Sequence, residues 1–87
     1  MHLNPHFILR KVADEALLIS IQDISAPKRL LMLNELGANI YTLLQQGETV
    51  ENIHSTLLAQ YEVDPSTLKA DIDEFMLTLT SYGVLID

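Results

Sequence analysis

Glu51 and His54 stand three residues apart, a spacing that places a carboxylate and an imidazole on one helical face, and it raises the question of a metal. A di-iron site of that design needs the Glu-x-x-His pair twice, with further glutamates, and here it occurs once. The remaining histidines, His2 and His6, share no zinc-ligand spacing with it, so His54 reads as a polar residue on a helix flank. Nucleophilic catalysis needs a hydroxyl with a base and an orienting group beside it. The hydroxyls of Thr49, Ser66 and Thr67 fall where helix caps and turns are expected, and those of Thr78, Thr80 and Ser81 on exposed helical positions. Asp71, Asp73 and Glu74 are close enough for paired acid-base work, but in helical register they form a solvated face. No Gly-rich phosphate loop and no cysteine is present. The expectation is a protein with no catalytic residue, no metal and no cofactor.

What remains is a backbone signal. Leu30, Leu31, Met32 and Leu33 are apolar in succession, where a strand at the edge of a one-sided sheet should alternate. Two readings stand. Either the protein itself covers both faces of this short strand, or one face and the free backbone edge form a docking site for an extended peptide.

The elements that would position this strand are legible. "FILRKV" (Phe7 to Val12) and "ALLISI" (Ala16 to Ile21) are β-rich runs joined by a link of hairpin length. After a loop over Gln22 to Lys28 the third strand runs from Arg29 to Leu33, at the edge of a meander. Asn34 caps a helix of about Glu35 to Gln46, with Leu36, Ile40, Leu43 and Leu44 in its stripe, Tyr41 flanking it and Gly47 as its stop. Thr49 caps a second helix reaching about Gln60. Asp64 and Pro65 open a third, carrying Leu68, Ile72, Phe75, Leu79 and Tyr82 on one side and ending near Gly83. Val84 to Ile86 either packs or pairs with a strand. The order is β-β-β-α-α-α, an α+β fold expected to form a single domain over residues 1–87.

Charge narrows the partners. The net charge is −7, and from Leu30 onward Lys69 is the one basic residue against nine acidic ones. Three helices with a small sheet resemble a winged helix, but a third helix offering Lys69 against Asp71, Asp73 and Glu74 has little counterion release to drive DNA binding. The start "MHLNPHF" has neither a basic segment nor a long apolar run, and nothing approaches the ~18 residues of a membrane helix, so a soluble cytoplasmic protein is expected.

The stretch "LNELGANIYTLLQQGETVENI", followed by "L..QY.VD...L..DI.EF...L...GVL", resembles the coenzyme PQQ synthesis protein D family, which includes the RiPP recognition elements. The resemblance extends from about Phe7 to Leu85. Its most specific parts are Leu33-Asn34, Gly47-x-Thr49-Val50, Asp71-Ile72 with Phe75, and Gly83-Val84-Leu85. It implies a winged-helix-like, non-catalytic domain that binds the leader of a ribosomally made precursor peptide and presents it to a modifying enzyme, often a radical SAM protein. In the family the leader adds as a strand beside the third strand and fills the groove against the third helix. Carried over, the strand side is Arg29, Leu30, Leu31, Met32 and Leu33. For the helix side, a helical wheel puts Lys69, Asp73, Met76 and Thr80 on one flank, and these, with Ile72 beside them on the core side, are the candidate peptide-binding residues of the third helix. Met76 favours that flank as the groove wall, because a thioether adapts to varied apolar partners, though it would serve equally as core. The opposite flank, with Asp71 and Tyr82, stays open. The loop Gln22 to Lys28 is longer than the family's usual one, and it places Pro27 and Lys28 beside the docking edge. Edge pairing between two copies, giving a homodimer without a leader, is the structural alternative.

Overall fold

The computed structural model describes residues 2–21 and 30–86. Arg29 and the loop from Gln22 to Lys28 lie outside them. The elements are β1 (His2–Leu3), β2 (Phe7–Val12), β3 (Glu15–Ser20), β4 (Leu30–Leu33), α1 (Glu35–Gln45), α2 (Val50–Gln60), α3 (Pro65–Ser81) and β5 (Leu85–Ile86). The three-stranded antiparallel sheet followed by three helices matches the expectation, and β1 and β5 form a separate two-stranded sheet.

In the larger sheet the order is β2-β3-β4, so β4 is an edge strand. Strands β2 and β3 join through Ala13 and Asp14, with Val12 opposite Glu15. Ala13 sits at φ 57, a left-handed conformation that costs a residue with a β-carbon roughly 1–2 kcal/mol. The register sorts the side chains by face. The rows Leu9–Leu18–Leu31 and Lys11–Ala16–Leu33 share one face, and Ile8–Ile19–Leu30 and Arg10–Leu17–Met32 share the other. The first face meets the helices: Leu18 is fully buried, and Ala16 and Leu33 nearly so.

Each helix begins as its capping residue dictates. The Oδ1 of Asn34 accepts from the Gly37 amide at 2.7 Å, and the Oγ1 of Thr49 from Asn52 at 3.1 Å. The carboxylate of Asp64 accepts from Ser66 and Thr67, with Pro65 in the first turn. Helices α1 and α3 both end in a glycine at positive φ, Gly47 and Gly83. The next residue but one past each cap then bonds back, Glu48 to Leu43 and Val84 to Leu79.

Two apolar clusters share α1 as their common wall. Ala38 and Tyr41 face the sheet with Phe7, Leu18, Leu33 and Leu79. Ile40 faces the other helices with Ile53, Leu57, Leu68 and Ile72. Tyr41, expected at the side of the stripe, is 1% exposed, because α1 is sandwiched and needs an apolar face on both sides. Burial raises the pKa of its phenol, partly offset by a hydrogen bond with Gln45.

The C-terminal residues pair rather than merely pack: β5 lies antiparallel to β1, with His2 opposite Ile86. Asn4 secures the junction, its amide donating to the Val84 carbonyl at 2.7 Å and its Nδ2 to that of Gly83 at 3.0 Å. His6 accepts at its carbonyl from the Ile21 amide, which continues the hairpin one step beyond β3.

Candidate peptide-binding edge and groove

Strand β4 pairs with β3 along one side only, with Leu33 opposite Ala16 and Leu30 opposite Ile19. Among the described residues nothing pairs with its other side. A free edge presents alternate amides and carbonyls at the spacing another strand needs, about 4.8 Å away.

The apolar run in β4 resolves into two roles. Leu33 is buried, and Leu31 packs half-buried against the sheet-side cluster that includes Tyr41 of α1 and Leu79 of α3, as Phe75 also does. Leu30 and Met32 point to the opposite face, 55% and 60% exposed. This corrects the reading in which the protein covers both faces of the strand: the helices cover one, and the other is open. Hence Leu31 lies on the sheet face that meets the helices, while Leu30 and Met32 look away from it.

Helix α3 divides similarly. Ile72 is 1% exposed among α1 and α2 side chains and forms part of the lining of the cleft between α2 and α3. Lys69 and Asp73 bridge each other at 3.0 Å and line an open cleft of about 270 Å³ with Val50, Glu51, His54 and Ser55 of α2. Met76 packs against both core clusters. The Oγ1 of Thr80 donates to the Met76 carbonyl at 2.9 Å, satisfying its own helix. The flank of α3 turned toward Asn34 and the start of α1 carries Asp71, Glu74, Phe75 and Thr78. With Asn34, Leu36, Gly37 and Ile40 these residues line a cleft of about 340 Å³. Asp71 belongs to the flank left open above, whereas Phe75, expected as core, and Glu74, expected on a solvated face, line this cleft without having been candidates. One signal was present: Gly37-Ala38 in the first turn of α1 is a small-residue pair that lets another element approach closely.

His54 sits where the sequence reading put it, on the α2 flank, its Nε2 3.0 Å from the Pro65 carbonyl at the start of α3. Among the described residues no group of histidines and carboxylates converges as a metal site would require. No helix among them is long and apolar enough to cross a membrane.

The family model for coenzyme PQQ synthesis protein D (PqqD) matches residues 15–85, most of the chain, and the chain belongs to that family. The match begins at β3, so β2, which the resemblance had included, lies outside it. Two solved structures share the fold. One is TbiB1 in complex with the TbiA(beta) leader peptide, 24% identical with a TM-score of 0.82 over 100% of both chains. The other is a lasso peptide synthetase B1 complexed with the leader peptide, 21% identical with a TM-score of 0.83 over 99% of this chain and 96% of that one. No curated protein matches the sequence.

Proposed function

We propose that the chain is a single non-catalytic domain that binds the leader of a ribosomally made precursor peptide by strand addition to β4 and presents the precursor to a modifying enzyme. A radical SAM protein is one such enzyme. The observation that carries this reading is that, among the described residues, β4 pairs with β3 alone, and that its outer edge runs toward a cleft lined by Asn34 and α3. Membership of the PqqD family supports it, as do the two neighbours of the same fold, each described in complex with a leader peptide.

Main-chain hydrogen bonds along Leu30 to Leu33 supply sequence-tolerant affinity, and side chains of every second leader residue enter the groove and supply specificity. Leu31, Phe75 and Thr78 are its walls in this reading. Of the positions first considered on α3, Lys69, Ile72 and Asp73 line the cleft with α2, Met76 packs on the core, and Thr80 is exposed and bonded to its own helix. Ordering a free leader costs about 2–5 kcal/mol, so the isolated domain binds with moderate affinity.

The test is a titration of isotope-labelled protein with the leader of the precursor encoded beside its gene. Amide shifts centred on Leu30 to Leu33 and on Asp71 to Thr78 are expected. Shifts confined to α2 reject the site. Light scattering at the same concentrations separates leader binding from pairing of β4 edges between two copies, which doubles the mass without peptide.

A further inference from the structure

We infer that the cleft at the end of β4 selects a cationic side chain, lysine or arginine, on the bound peptide; this rests on the strand-addition reading above. The cleft has an apolar floor and an acidic rim. Ile40 is fully buried at its base, and Leu36 and the Phe75 ring form its sides. Asp71 and Glu74, exposed and three residues apart on α3, stand at its mouth, their side chains on adjacent positions of one helical face. Among the described residues neither carboxylate has an ion-pair partner. The Lys69 ammonium is engaged by Asp73 on the other flank, and Arg10 and Lys11 belong to β2.

Asn34, the residue directly after β4, also lines this opening. A strand laid along Leu30–Leu33 at the usual spacing therefore carries one groove-facing side chain over the cleft as it passes Asn34. A long aliphatic stem ending in a positive charge fits both parts: the stem covers Phe75 and Leu36, and the head reaches the two carboxylates. An aliphatic residue fills the floor but gains nothing at the rim. An acidic residue meets Asp71 and Glu74 as like charges within a chain of net charge −7.

The experiment uses a library of random peptides roughly ten residues long, the length of a long strand, selected on the full chain. It is repeated on the double variant Asp71→Asn/Glu74→Gln, both exposed positions, after a thermal melt in which its midpoint is expected to match the parent's. Selected peptides are sorted by whether they protect the β4 amides from exchange. Those that do are expected to share a lysine or arginine at one position. Replacing it by norleucine should weaken binding about threefold to tenfold on the parent, as one or two partly exposed ion pairs allow, and less than about twofold on the double variant. The difference should shrink at high salt. Peptides that protect β4 without a shared cation, or an equal norleucine loss on both proteins, overturn the cation preference and leave strand addition standing. If no peptide protects β4, both fall.

Discussion

A β-carbon on Gly37 would lie 2.9 Å from Cε1 of Phe75, so the aromatic ring of α3 rests directly against the first turn of α1. That contact sets the rotation of α3. With Phe75 turned toward Gly37 and Asn34, the residues one turn either way, Asp71 and Thr78, line the same cleft, while Lys69 and Asp73 are carried round to α2. Gly37→Ala tests this coupling. The new methyl pushes the half-buried ring into the groove, while alanine gains roughly 0.5–1 kcal/mol of helix preference over glycine. Stability should change by less than about 1 kcal/mol in a thermal melt, and leader affinity should fall several-fold.

Leu31 and Met32 are neighbours with opposite duties. Leu31→Ala removes half-buried area at the groove and should cost about 1–2 kcal/mol of stability together with much of the leader affinity. Met32→Thr changes an exposed residue on the far face and should stay within about 0.5 kcal/mol, with binding retained. Urea titrations paired with peptide titrations read both quantities.

The hairpin turn carries strain at Ala13, φ 57, in a region glycine enters freely. Ala13→Gly should stabilise the protein by about 0.5–1 kcal/mol, the relief of left-handed strain less the added freedom of the unfolded chain. Chemical denaturation measures it, and a loss of stability would contradict the turn geometry.

Hydrogen bonds from the Thr67 backbone and then the Ser66 side chain hold the Asp64 carboxyl below the usual aspartate range. A depressed folded-state pKa means the carboxylate's contribution is present above the unfolded value, about 3.9, and is lost as the pH falls through the lower folded value. Asp64→Asn keeps an N-cap acceptor that does not titrate. Melting midpoints of the two proteins should therefore differ in a constant way from pH 5 to 8 and change relative to each other below about pH 4, with the parent losing more.

Much of this architecture could be read from the sequence because its signals are local. Asn34, Thr49 and Asp64 each cap the helix they were expected to cap, and Gly47 and Gly83 stop the helices before them. Strand β3 slid one residue, to Glu15–Ser20, because the two-residue turn at Ala13-Asp14 fixes the register. The pairing of β1 with β5 was not legible, since two-residue strands carry no periodicity and are held by a contact between the chain's ends, through Asn4 and Gly83. The flank of α3 was ambiguous for a related reason. A wheel gives relative angles, and the absolute rotation comes from where Phe75 finds room against Gly37.

Strand addition requires the β4 edge that no described residue pairs with to be free in solution, and amide hydrogen exchange across Leu30–Leu33 with and without saturating leader peptide reads it directly. In the free protein alternate amides of this strand, those turned away from β3, should exchange fast, and bound leader should protect that same alternate set strongly. If those amides are already protected without peptide, or stay unprotected while the leader is bound, strand addition at β4 is contradicted.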